Sequence, residues 1–181
     1  MALLRILPVA LLLVTRATLA AQAVRASEYQ VKAVFLFNFA QFVDWPAEAF
    51  ADSGAAVEIC VLGADPFGDF LDQTVRDERV GGRALQVRRY HRVDEINACH
   101  ILFISRSEGS PTADMLAGLK RRPILTVSDI DGFAERGGII AFVTDRQRIR
   151  LKINVLAAAA AHLTISSKLL RVAEIIPSAG H

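Results

Sequence analysis

The chain alternates between segments of helical period and short, almost unbroken apolar runs. Glu28 to Trp45 carries Val31, Phe35, Phe39 and Phe42 at spacings of four, four and three, which predicts a helix with these side chains on one face. Phe37, Ala40 and Val43 widen its apolar surface, and Pro46 stops it. A helix apolar on several sides belongs in a core, although exposed aromatics also mark partner-binding faces. A loop over residues 47–56 follows, rich in Ala, Gly and Asp. Val57–Leu62 is a continuous apolar run, the pattern of a strand covered on both faces. Asp65 and Pro66 read as the N-cap and first turn of a helix over Phe67–Val75.

Gly81-Gly82 breaks the chain, and Ala84–Tyr90 has the period of two of a strand. Val93–Ala98 reads as a short helical turn, and His100–Ile104 and Ile124–Val127 as further buried strands. Between those strands, Ser110-Pro111 opens a helix that runs to about Arg121. Ile139–Thr144 and Arg148–Ile153 predict a hairpin turning at Asp145-Arg146-Gln147. Asn154 caps a helix over Val155–Leu163. Ser166 caps a last helix with Leu169, Val172, Ala173 and Ile176 on one stripe, ended by Pro177. Strands alternating with helices predict a single α/β domain with a mainly parallel sheet, helices on both faces and a C-terminal antiparallel β-hairpin.

The N-terminus reads differently. Arg5, an apolar run from Ile6 to Val14 and the ending Ala21-Gln22-Ala23 form the pattern of a secretory signal peptide over residues 1–23. The run is too short for a spanning helix of about 20 residues. An uncut anchor is the alternative. The expected domain then covers 24–176, with a disordered tail at 177–181. Cleavage removes Arg5 and Arg16 and no acid, so the 21 basic residues become 19 against 19 acidic ones. That balance gives no electrostatic case for nucleic acid. No later segment has the length of a membrane span, so a soluble domain exported from the cytoplasm is expected.

Two cysteines remain, Cys60 in one buried run and Cys99 beside another. In an oxidising compartment an even pair reads first as a disulfide, which would stabilise by roughly 4 kcal/mol in the chain-entropy model. Two buried free thiols are the alternative.

Catalytic patterns are weak. His91, His100, His162 and His181 fall in no metal-ligand spacing, and Cys99-His100 lacks two further zinc ligands. Gly63-Ala64-Asp65-Pro66-Phe67-Gly68 follows a strand but has no phosphate-loop spacing, and Asp65 would repel phosphate. Ser166-Ser167-Lys168 lacks the S-x-x-K spacing of serine–lysine enzymes. Asp129 and Asp131 could act as an acid–base pair but read more simply as turn caps. The expectation is a non-enzymatic protein with no catalytic residue, no metal and no cofactor. The charged feature that stands out is Arg148, Arg150 and Lys152, three cations on one face of a strand. They either keep a sheet edge soluble or meet an acidic partner surface.

Taken in order, several motifs carry a resemblance. They are Glu28-Tyr29-Gln30-Val31-Lys32-Ala33, Asn38-Phe39, Trp45-Pro46, Ile59-Cys60-Val61-Leu62-Gly63-Ala64-Asp65-Pro66-Phe67-Gly68 and Cys99-His100-Ile101-Leu102-Phe103-Ile104-Ser105. Leu125-Thr126-Val127-Ser128-Asp129, Gly132-Phe133-Ala134, Gly137-Gly138, Arg150-Leu151-Lys152-Ile153-Asn154 and Leu163-Thr164-Ile165-Ser166-Ser167-Lys168 complete them. The chain resembles the YfiR-like family of periplasmic proteins over roughly residues 28–176. The resemblance implies an α/β fold and a repressor that binds the periplasmic sensor domain of an inner-membrane diguanylate cyclase, lowering cyclic di-GMP and biofilm formation. It also implies that the family's cysteine pair falls on Cys60 and Cys99, and that members can form homodimers. Two features depart from the family. Lys152 stands where the family's Arg-Phe-Glu-Ile-Asn has an acid, and a second, C-terminal cysteine pair found in some members is missing. A periplasmic small-molecule binder feeding an envelope sensor is the alternative function, and a small hydrolase ranks third.

Overall fold

The computed structural model describes residues 27–109, 113–119, 121–146 and 148–177. The expected signal peptide at 1–23, the Ser110-Pro111 helix start and all of the expected tail except Pro177 lie outside these residues. Helix α1 spans 27–42 and passes directly into strand β1, Val43–Asp44. It ends before Trp45 because Val43 and Asp44 pair with β9, Thr164–Ile165, in an antiparallel two-stranded sheet.

The main sheet has eight strands. In chain order they are β2 (Val57–Leu62), β3 (Arg79–Val80), β4 (Arg83–Tyr90), β5 (Ile101–Ile104), β6 (Leu125–Ser128), β7 (Ile140–Asp145), β8 (Arg148–Ile153) and β10 (Glu174–Ile175). Across the sheet they lie in the order β10-β8-β7-β6-β5-β2-β4-β3. The five central strands β4, β2, β5, β6 and β7 run parallel. The expected hairpin pairs β7 with β8 antiparallel, and a second small hairpin pairs β3 with β4. Helices α2 (Asp69–Val75), α3 (Ala113–Leu119), α4 (Val155–Ala160) and α5 (Ser167–Leu170) make the connections.

Burial explains the apolar runs. Along β2, Ile59 and Val61 join one buried cluster while Cys60 and Leu62 join another; along β5, Ile101 and Phe103 separate from Leu102 and Ile104 in the same way. The first cluster takes in Leu36 and Phe39 of α1, Leu71 of α2, Ala158 of α4 and Leu169 of α5; the second takes in Leu116 and Leu119 of α3. Both faces of these strands are therefore removed from water, which removes the alternation of a half-buried strand.

Three differences from expectation bear most on the site. Asp65 does not cap α2, whose N-cap is Gly68; its carboxylate instead accepts from the Phe67 amide and pairs with Arg89. The C-terminal helical stripe breaks after Arg171, and Glu174–Ile175 becomes β10, pairing in parallel with Lys152 and Ile153. In consequence β8 is not an edge strand along its whole length. The buried side of α1 is also rotated. Ala33, Leu36, Phe39, Ala40 and Val43 are buried, whereas Val31 is 46% exposed.

Candidate functional site

The same rotation of α1 buries Lys32 completely, at 0% exposure. Its Nζ lies 2.5 Å from Glu28 one turn earlier and 2.6 Å from Asp129, which follows β6. The Tyr29 hydroxyl donates to the same Asp129 oxygen at 2.8 Å, and the Lys32 ammonium sits 4.4 Å from the Tyr29 ring centre. The other Asp129 oxygen makes no hydrogen bond and lies 3.3 Å from Nε of Arg106, which follows β5. Arg106 also donates to the Asp129 carbonyl at 3.0 and 2.8 Å. Thr144 of β7 closes the group by donating to Glu28 at 3.0 Å.

Two carboxylates thus meet two cations beyond the C-terminal ends of the parallel strands. Burial works against the Glu28 carboxylate, but the Lys32 ammonium, the Thr144 hydroxyl and the Arg106 charge together outweigh it and hold its pKa below the ordinary value. Burial, reinforced by the hydrogen bond to Asp129, raises the Tyr29 phenol well above its ordinary value. With Lys32 sealed from solvent and bracketed by carboxylates, this group anchors α1 to the sheet and does not present a nucleophile.

The crevice between β2 and β5 is where chain direction across the sheet reverses, the usual ligand position in open α/β sheets. Here the protein's own chain fills it. The Ala64 amide donates to the Ser107 hydroxyl at 2.8 Å, and Phe67 packs edge-on against Phe103 and Tyr29. Gly63 has a φ of 87°, and a side chain there would strike Ser107 and Glu108.

A different cluster occupies the opposite, N-terminal end of the strands. Cys60 and Cys99 are joined in a disulfide between β2 and the residue pair leading into β5, with Cα atoms 6.1 Å apart. The strands are neighbours, Cys60 standing opposite Leu102. With Cys99 bridged, no thiolate remains beside His100 for a metal. His100 accepts from the Glu58 amide at 3.0 Å through Nδ1, and its Nε2 has no partner. Its ring stacks on Phe50 with centres 4.4 Å apart, and the Arg83 guanidinium lies 3.9 Å from the Phe50 ring centre. Burial first, then the Arg83 charge, push the His100 pKa below the ordinary imidazole value despite an opposing backbone contact from Ala49. Trp45, Phe50, Val80 and Arg83 line an open groove beside this cluster.

The remaining sequence candidates separate. Asp131 is exposed while Asp129 is buried, so they form no carboxylate pair. Ser166 accepts from the Lys168 amide as an N-cap. Of the basic stripe, Arg150 pairs with Asp145 at 3.2 Å, and Lys152 with Glu135 at 2.8 Å and Glu174 at 3.6 Å. Arg148 is exposed at the start of β8. Among the described residues no group of three His, Cys, Asp or Glu side chains is placed to hold a metal, and no helix is long and apolar enough to cross a membrane.

A mainly parallel α/β domain, tied by one disulfide and closed at its switch point, defines the class of protein. The sequence profile of the YfiR/HmsC-like family matches residues 29–174, and the chain belongs to that family. No curated protein matches the sequence significantly. Membership points to a periplasmic regulator of cyclic di-GMP signalling. The pattern-based reading missed Lys32. The signal available was a lysine placed between Tyr29, Ala33 and Leu36 on a face otherwise made of core residues.

Proposed function

We propose that this protein is exported by cleavage near Ala23 and acts, without catalysis, by binding the periplasmic sensor domain of an inner-membrane diguanylate cyclase and holding it inactive. The family match over residues 29–174 carries this reading. The disulfide suits an oxidising compartment. The basic strand suits an acidic partner surface. Arg148 has no ion pair among the described residues, and Arg150 is tied only to a partly exposed Asp145. Arg148, Arg150 and Lys152 are the residues proposed to meet the cyclase. Lys152 is the least available of them, because Glu135 and Glu174 hold it.

Binding inhibits only through its preference for the off state. Moving a sensor from mostly on to mostly off takes about 5.5 kcal/mol of such preference. Titration calorimetry of the exported chain against the purified periplasmic domain of a membrane diguanylate cyclase from the same cell tests the reading. Binding that weakens in the Arg148→Glu, Arg150→Glu double variant is expected. Absence of binding by the unaltered chain would overturn it.

The groove lined by Trp45, Phe50 and Arg83 favours a second reading, a binder of small apolar molecules that feeds an envelope sensor. Such a ligand at 100 times its Kd would add about 2.7 kcal/mol to stability, which a thermal-shift screen detects.

A further inference from the structure

The segment 46–56, between β1 and β2, is held to the sheet by very little. None of its residues is buried. Its backbone hydrogen bonds stay within it, from Ala49 to Pro46, from Phe50 to Ala47 and from Ala55 to Asp52. Two side chains of the sheet hold it down. Arg83 of β4 donates through Nη1 to the Asp52 and Ala55 carbonyls at 2.9 and 2.7 Å, and its guanidinium lies by the Phe50 ring. The His100 ring stacks on that same Phe50. Local opening costs least in a segment with so little buried apolar surface.

His100 is 3% exposed, and its hydrogen bond fixes its charge. Nδ1 accepts from the Glu58 amide, so the ring is neutral and its proton sits on Nε2. A second proton would set N–H against N–H at Nδ1. The backbone on both sides is pinned. Glu58 stands opposite Gln86 in the β2–β4 ladder, the His100 amide donates to the Glu58 carbonyl, and the His100 carbonyl accepts from Leu125. The ring is the part that can turn, and turning it takes away the surface on which Phe50 stacks. Few charges surround it. Glu48 and Asp52 on the segment and Asp44 on β1 are exposed, and the Asp52 carboxylate accepts from the Gly54 amide. On β2 the Glu58 carboxylate has Arg88 at 3.7 Å, Cys99 is bridged, and β6 carries no charged residue. Burial, then the Arg83 charge, outweigh the Ala49 backbone contact that favours the imidazolium.

We propose that His100 is an acid-operated latch, whose protonation releases the segment 46–56 from the sheet while the rest of the domain stays folded. Once the ring is free in water it regains the ordinary value of 6.5, which in the closed state is lowered. The ratio of open to closed molecules therefore rises about tenfold for each pH unit below that value, until the closed-state pKa is reached. Phe50 is a wall of the groove that also contains Trp45, Val80 and Arg83, so the groove changes shape as the latch opens. The latch is independent of the cyclase reading and of whether the groove takes a ligand.

The test follows the exported chain from about pH 8 to about pH 5. Three signals are read: the His100 ring resonance, the fluorescence of Trp45, and the amide exchange protection of Glu58. Trp45 is the sole tryptophan and packs edge-on against the His100 ring, so its emission reports the latch. The three are expected to change together, with a midpoint below 6.5. Protection at Glu58 should fall about tenfold per pH unit there. The Leu125 amide, which donates to the His100 carbonyl, should keep its protection. His100→Gln retains an acceptor for the Glu58 amide but takes up no proton, and should leave Trp45 and Glu58 unresponsive to pH. The coincidence of the three midpoints in the unaltered chain decides the matter if that variant does not fold. Equal loss of protection at Glu58 and Leu125 would mean that the whole sheet unfolds, and would overturn the proposal. So would a ring that titrates with no change at Trp45 or Glu58, or a pH response that survives in His100→Gln.

Discussion

The two ends of the parallel sheet are secured by opposite means. Beyond the C-terminal ends of the strands, charge does the work. Lys32, Glu28, Asp129 and Arg106 neutralise one another and bind α1 to the loops after β5 and β6. At the N-terminal end a covalent bridge and stacked rings do it, with Cys60–Cys99 beside His100 and Phe50. A buried charge needs every partner, because removing one leaves the other in a medium that cannot solvate it. A disulfide acts chiefly by restricting the unfolded chain, so its loss leaves nothing unsatisfied in the folded state. The ends should therefore fail in different ways.

The largest effect is expected at the charged end. Asp129→Ala leaves buried Lys32 with Glu28 as its one carboxylate and the Tyr29 hydroxyl without its acceptor, and should cost about 3–5 kcal/mol in urea unfolding. The double variant Lys32→Met, Asp129→Leu should recover much of that loss, since it removes both charges together. A double variant no better than Asp129→Ala would break the comparison.

Replacing both cysteines, Cys60→Ala and Cys99→Ala, should cost about 2–4 kcal/mol, seen as a lower urea midpoint. Cys60 is fully buried and Cys99 is 7% exposed, so reduction of the native protein should follow unfolding and not precede it. Rapid reduction under native conditions would contradict this.

The two ends also titrate in separate windows. His100 has a lowered folded pKa, so the unfolded chain binds more protons as pH falls below the ordinary value of 6.5, and stability declines from there downward. Glu28 is lowered from 4.5, so its contribution is present above that pH and is lost as pH falls through its folded pKa. His100→Gln should flatten the upper part of a stability-against-pH curve, and Glu28→Gln the lower part. Either substitution flattening the other window would show that the assignment of groups is wrong. The smallest effect belongs to the surface: Arg148→Glu should change stability by less than about 0.5 kcal/mol while weakening partner binding.

Much of this architecture was legible as pattern. The apolar runs of β2 and β5, the β7–β8 hairpin and the Asn154 cap, which accepts from the Ala157 amide at 2.9 Å, all follow from local chemistry. The charged end was not legible. Lys32 and Asp129 are 97 residues apart, and their union depends on how α1 sits on the sheet. Spacing alone favoured the face of Val31, Phe35, Phe39 and Phe42, but Lys32 takes the buried position because Asp129 supplies its counter-charge. The β3–β4 hairpin left a signal in Gly81-Gly82 between Val80 and Arg83, a two-residue turn with φ of 58° and 81°. β10 left none, because its pairing with β8 overrides a helical stripe.

The most direct test of the regulator reading is cellular cyclic di-GMP, measured by mass spectrometry in cells lacking this gene. The account predicts a rise, reversed by the full chain and not by a chain deprived of residues 1–23. An unchanged level after deletion, or reversal by the unexported chain, would contradict it.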